Sequence, residues 1–234
     1  MNKEFIEIVG LTKSYIQNLR KKGATGVFAD NEPVFKKTVT SEKTCLKDNH
    51  SGNVLERFYD EIKNCQKCQL GKTRTKFVFS DGSTDAKLVF IGEAPGHDED
   101  LQGKPFVGRA GQLLTKIIEA MGLKREDVYI CNVLKCRPPN NRAPLPEEIE
   151  VCRPYLVKQL ELLKNKKVIC CLGVHAAKSA LGLELPMKDM RGKWNSYEGT
   201  PVMVTYHPAY LLRNPADKKK VWEDMQKVME CLRK

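Results

Sequence analysis

The sequence predicts an α/β fold: a three-layer α/β/α domain around a central, mainly parallel four-stranded sheet. Short, almost wholly apolar runs recur at residues 87–91, 128–133, 167–172 and 201–205, as strands buried on both faces do. Helical patterns separate these runs, and alternating strand and helix signals build a sheet covered by helices on both sides. The chain has 234 residues, 41% of them apolar, which is enough for one sizeable core.

The elements follow in order. Over residues 4–22, Phe5, Ile8, Val9, Tyr15, Ile16 and Leu19 recur at roughly helix spacing, and Gly23 can stop the run. Residues 26–52 are polar, Lys-rich and without a period, which reads as an irregular linker. The expected organisation is therefore a leading helix and linker over 1–52 and a folded body over 53–234. Within the body, the first strand exits into Gly92-Glu93-Ala94-Pro95-Gly96. Leu113, Leu114, Ile117, Ile118 and Met121 then make a helical stripe closed by Gly122. After the second strand, Pro146, Glu147 and Glu148 form a good helix start ahead of Ile149 and Leu156. The fourth strand exits into His207-Pro208-Ala209-Tyr210-Leu211-Leu212-Arg213. A last helix follows Pro215, with Val221, Met225, Val228 and Leu232 on one side. There is no internal repeat.

A formal charge of +11 and a pI near 9.2 favour a polyanionic partner, nucleic acid first. The first ten residues lack the apolar core of a signal peptide, and no stretch approaches the roughly 18 apolar residues of a membrane helix. The expectation is a cytoplasmic protein with no membrane partner, monomeric by default. Nine cysteines in such a chain read as metal ligands or buried thiols rather than a disulfide framework. Cys65-x-x-Cys68 can bring two thiolates to one metal centre, and Cys136 and Cys152, which bracket the loop 137–144, can complete four. Tetrahedral zinc and an iron–sulfur cluster both accept that set, and spacing does not choose between them. Cys131, Cys170 and Cys171 lie in apolar runs and read as core, whereas Cys45 and Cys231 receive no function.

Ligands of open parallel sheets bind beyond the strands' carboxyl ends, so the two polar strand exits should meet over one small molecule. Read as a phosphate-cradling loop, residues 92–96 lack the Gly-Lys-Ser/Thr ending and any dinucleotide glycine fingerprint. Together with Gly103-Lys104-Pro105-Phe106-Val107-Gly108, Asn132 ahead of Cys136-Arg137-Pro138-Pro139, and Asn141-Arg142, the two exits resemble the family 4 uracil-DNA glycosylases. The likeness runs in unbroken order over about residues 65–213.

That resemblance implies hydrolysis of the N-glycosidic bond of deoxyuridine in single- or double-stranded DNA. The products are free uracil and an abasic site, the first step of base-excision repair. It also implies a [4Fe-4S] cluster held by Cys65, Cys68, Cys136 and Cys152, structural in role, with no catalytic metal. Phe106 can offer a flat face for a flipped base. Asn132 stands where the family places the amide that reads uracil, Gly92 and Glu93 are further uracil-binding positions, and His207 matches the donor to the uracil oxygen as negative charge builds on the leaving base. Other glycosylase families carry a water-positioning Asp or Asn where this chain has Ala94. The water-activating group is thus open: Glu93 comes first, with Glu99 and Asn141 as a polar pair behind it, and Glu93 can equally guard against the thymine methyl group. Leu211 fits an apolar wedge and Arg213 a phosphate clamp. Lys72, Arg74, Lys76, Arg109 and Arg137 could follow the DNA backbone, though each alone reads as a solvated charge. The rival is a cluster-bearing uracil-DNA binding protein without turnover. Some relatives trap uracil DNA through a histidine inserted after the first motif, and no such insertion lies between Gly96 and Gly103.

Overall fold

The computed structural model describes residues 54–182 and 185–234. The leading helix and linker expected over residues 1–52, with Cys45, lie outside the described residues. The body opens with helices α1 (Val54–Ile62) and α2 (Leu70–Thr73), then strands β1 (Ser80–Gly82) and β2 (Leu88–Gly92). Helices α3 (His97–Gln102) and α4 (Arg109–Ala120) lead to β3 (Tyr129–Asn132), and α5 (Pro146–Leu162) to β4 (Val168–Leu172). Helices α6 (Val174–Leu181) and α7 (Met187–Met190) precede the hairpin of β5 (Trp194–Tyr197) and β6 (Thr200–Thr205). Helices α8 (Pro208–Arg213) and α9 (Lys218–Arg233) close the chain.

The strands form one six-stranded sheet in the order β1-β3-β2-β4-β6-β5. Its four central strands are parallel and coincide with the four apolar runs. The expected strand count of four is corrected by two antiparallel edge strands. β1 is only Ser-Asp-Gly, with no apolar run to signal it. β5, Trp-Asn-Ser-Tyr, alternates exposed and half-buried positions, and its turn passes through Glu198 (φ 48°) and Gly199 (φ 80°). Left-handed backbone at both residues suits a two-residue hairpin, but Glu is not a residue that announces one.

Alternate residues of each central strand feed opposite layers. Val89, Ile91, Cys131, Ile169, Cys171, Val202 and Val204 pack with α1, α5 and α6. Phe90, Ile130, Cys170, Leu172 and Met203 pack with Leu114 and Ile118 of α4 and with Val221, Met225 and Val228 of α9. The three layers follow directly from strands that are apolar on both faces. β3 lies on one side of β2 and β4 on the other, so the chain reverses its direction of travel across the sheet at β2 and opens a crevice there.

Candidate active site

At that crevice, beyond the carboxyl ends of β2, β3, β4 and β6, lies a cavity of about 440 Å³ lined by Glu93, Glu99, Phe106, Asn132, Asn141 and His207. Every residue the sequence marked as catalytic or uracil-binding lines it, except Gly92. Gly92 ends β2 opposite Asn132, and a Cβ there would stand 2.3 Å from Asn132 Oδ1 and 2.5 Å from the Phe106 ring. Its missing side chain is what leaves the cavity open.

Asn132 closes β3 and is 2% exposed. Its Oδ1 is, among the described residues, the buried side-chain polar atom left without a hydrogen-bond partner. A buried acceptor with nothing to accept costs about 1–3 kcal/mol, so its place is explained by a ligand that donates to it. Phe106 is buried with φ 53°, a strained backbone for an aromatic residue. Gly111 of α4 permits this, since a Cβ there would stand 1.9 Å from the Phe106 carbonyl oxygen. The strain turns the ring toward His207, with centroids 5.6 Å apart and planes inclined at 33°.

His207 is the N-cap of α8, and its Nδ1 accepts from the Ala209 backbone N–H at 3.1 Å. Burial lowers its pKa to about 4; the Arg213 charge pushes the same way and Glu99 opposes. The imidazole is therefore neutral at physiological pH, and with Nδ1 accepting, the ring proton sits on Nε2. Burial raises the Glu93 pKa, while His175 at the start of α6 pulls it down. His175 lines the same cavity but stands in no motif. The signal that could have found it is the third strand exit, at Gly173, where the chain leaves β4.

Glu99 and Asn141 are engaged elsewhere. The Glu99 carboxylate accepts from Gly96 N–H at 3.1 Å and from Val107 and Gly108 N–H at 2.9 Å each. It fastens the first motif to the loop that carries Phe106. Asn141 Oδ1 accepts from Arg137 Nε at 2.7 Å, and the same guanidinium reaches His97 Nδ1 at 3.0 Å, joining the loop after β3 to the start of α3. Arg142 braces this loop through a paired contact with the buried Glu148 at 2.6 and 2.9 Å, which holds the Glu148 carboxyl below its ordinary pKa.

The expectation for Leu211 is corrected. Its side chain has no exposed surface and packs beneath α4 and α9, so it cannot enter a DNA stack from this position. Its neighbour Leu212 is 43% exposed, because on a helix consecutive side chains point about 100° apart. Arg213 is exposed at the end of α8.

The four cysteines gather at the amino end of α5. Cys136 and Cys152 are buried, and Cys65 and Cys68 pack on the same core cluster. Burial raises the thiol of Cys152 to about 12 and that of Cys136 upward, with Cys65, Cys68 and Cys136 close enough to influence one another. The Tyr155 hydroxyl donates to Cys65 Sγ at 3.2 Å, and Arg74 donates to Cys136 Sγ at 3.2 Å and to the Cys65 carbonyl at 2.6 Å. Arg74 is thus a brace of this site. Among the described residues, no three His, Cys, Asp or Glu side chains converge tightly enough for a single metal ion.

Sequence comparison agrees with this geometry. Residues 79–226 match the family model described as the uracil DNA glycosylase superfamily. The chain is 48% identical over 184 residues to a type-4 uracil-DNA glycosylase of Archaeoglobus fulgidus, covering 75% of this chain and 92% of the relative. It is 48% identical over 189 residues to the type-4 enzyme of Saccharolobus solfataricus, covering 76% and 86%. With the Thermotoga maritima type-4 enzyme the figures are 43% over 187 residues, 77% and 96%. Matches of that extent, over the strands and loops that build the cavity, place this chain in the uracil-DNA glycosylase superfamily, among its type-4 members.

Proposed function

We infer that this protein is a monofunctional uracil-DNA glycosylase that hydrolyses the N-glycosidic bond of a flipped deoxyuridine, releasing uracil and leaving an abasic site for base-excision repair. One observation carries the reading: an unpartnered Asn132 Oδ1 and a neutral His207 Nε2–H share one cavity. The uracil edge presents an N3–H donor beside the O4 acceptor, and a carboxamide matches both. Cytosine presents an unprotonated N3 and an amino group, so the same amide faces mismatched groups and leaves them unpaired.

A stacked base cannot reach this cavity, so the nucleotide rotates out and Phe106 replaces part of the lost stacking. As the glycosidic bond breaks, negative charge collects on the departing uracil, and His207 Nε2–H is fixed in advance to meet it. A neutral donor needs no proton transfer to do this. Glu93 is the group assigned to hold the attacking water on the sugar side. Burial raises its pKa, and His175 opposes that rise. Glu99 and Asn141 receive positioning roles, because their acceptor oxygens are spent on the loops. For holding the opened duplex we assign Leu212 in place of Leu211, with Arg213 beside it for phosphate.

For the cysteines we propose a four-iron cluster, the group that the resemblance to the family 4 glycosylases implies. Arg74 and Tyr155 already donate to the Cys136 and Cys65 sulfurs, as hydrogen bonds to thiolate ligands of such a site do. Cys65, Cys68, Cys136 and Cys152 would hold it, and when bound it supplies structural cross-linking of the segment between α1 and α2, the β3 exit and α5. The purified protein is expected to be brown, absorbing near about 400 nm. We further propose a monomer working in the cytoplasm. No helix of the described residues is long and apolar enough to cross a membrane.

The test is a single-turnover assay on single-stranded and duplex oligonucleotides carrying one uracil, read as alkali-labile abasic sites. His207→Ala or Asn132→Ala should lower the rate by about 10²–10³ while changing DNA affinity far less. DNA retained intact in a gel shift by the wild type would favour the binding module.

A further inference from the structure

The cavity and the cysteine site meet at Lys135, which has no exposed surface. Its Nζ donates to the Asn132 carbonyl oxygen at 2.7 Å and also to Gln159 Oε1. Gln159 Nε2 in turn donates to the Tyr129 hydroxyl at 2.8 Å and the Phe79 carbonyl at 3.2 Å. The Lys135 backbone lies beside Cys152, and its carbonyl accepts from Val78 N–H at 2.9 Å. Burying an amine is expensive, and an apolar side chain of equal length would fill the same space at lower cost. What an apolar residue could not do is grip the carbonyl of Asn132.

We propose that Lys135 is a positioning residue that ties the uracil reader Asn132 to the four-cysteine site, so that loss of the cluster loosens base discrimination. This rests on the cluster reading given above. Cys152 and Gln159 stand two turns apart on α5, and Cys136 follows Lys135 directly. A cluster bound to Cys136 and Cys152 pins the β3 exit against α5 and keeps both Lys135 bonds in register. Without it, α5 is free to shift from the β3 exit, and the Nζ that steadies Asn132 goes with it. A reading amide has to be held within about 0.5 Å of its productive position.

The experiment uses the full chain with its native metal content and duplexes carrying one non-hydrolysable 2′-fluorinated deoxyuridine or, as control, deoxycytidine. Iron per chain and the ratio of the two Kd values are measured for the wild type and Lys135→Met, each before and after chelator treatment. The expected result is that Lys135→Met keeps its iron but loses about tenfold in uracil preference, the worth of roughly one hydrogen bond. Chelation should lower the wild-type preference by a similar factor and that of Lys135→Met by less than twofold. If a stripped chain also loses the control duplex, iron is removed in steps and preference is plotted against iron content. Lys135→Gln, too short to reach Asn132, replaces the Met variant should that one aggregate. Wild-type preference in an iron-loaded variant, or equal losses on chelation in both proteins, would overturn the link while leaving the glycosylase and cluster readings intact. An iron-free wild type would overturn the cluster reading and this one together.

Discussion

His207 should destabilise the folded chain as pH falls, and the amount can be worked out. In the unfolded chain its pKa is about 6.5, whereas burial lowers it to about 4 in the folded state. Between those values the unfolded state binds the extra proton, so stability is intact above pH 6.5 and is lost as pH drops toward 4. At 1.36 kcal/mol per unit of pKa, the loss reaches about 3 kcal/mol by pH 4. The comparison is with His207→Asn, whose carboxamide oxygen can still accept from the Ala209 N–H and cap α8 but does not titrate. Urea unfolding of both proteins at fixed pH from 8 to 4 gives the difference directly, because every other titrating group is shared. The wild type should lose about 3 kcal/mol more than the variant across that range. Parallel stability curves would refute a neutral, buried imidazole, and with it the assignment of the proton to Nε2.

Other outcomes follow from the same geometry. Gly92→Ala should cut kcat/KM at least about 100-fold with little change in fold, since its methyl needs the space of Asn132 Oδ1 or the Phe106 ring; this is checked by single-turnover uracil release. Leu211→Ala should cost about 2–5 kcal/mol in a denaturation experiment, as core leucines do, whereas Leu212→Ala should cost under about 0.5 kcal/mol yet slow release from duplex more than from single strands. Glu99→Gln should weaken both motif loops and lower kcat/KM about tenfold, with a pH profile parallel to the wild type because Glu99 moves no proton.

The layers and the cavity were legible because they rest on strong local signals. Apolar runs such as Leu88–Gly92 are buried on both faces, so their composition alone marks them as central strands of a parallel sheet. The polar exits after β2 and β6 mark the site because that is where such a sheet opens. The edges were not legible. β1 owes its place to pairing with β3, through Ser80 opposite Cys131, and not to any preference of Ser-Asp-Gly. Which leucine of Leu211-Leu212 faces the core depends on how α8 is rotated by its His207 cap, information absent from a two-residue repeat. Lys135 and Arg74 were hidden for a related reason: a lysine or arginine in a basic sequence signals a solvated charge, and only the fold buries Lys135 and turns Arg74 onto the cysteines. His175 carried no signal of its own, since its importance is entirely its position opposite Glu93.

The most direct measurement is a crystal structure of this enzyme with a 2′-fluorinated deoxyuridine duplex bound. The flipped uracil should lie against Phe106, its N3–H within about 3.2 Å of Asn132 Oδ1 and its O2 within about 3.2 Å of His207 Nε2, with Nδ1 still capping α8. A base seated with its O2 away from His207, or an Asn132 amide that has turned to satisfy itself on protein groups, would contradict the account.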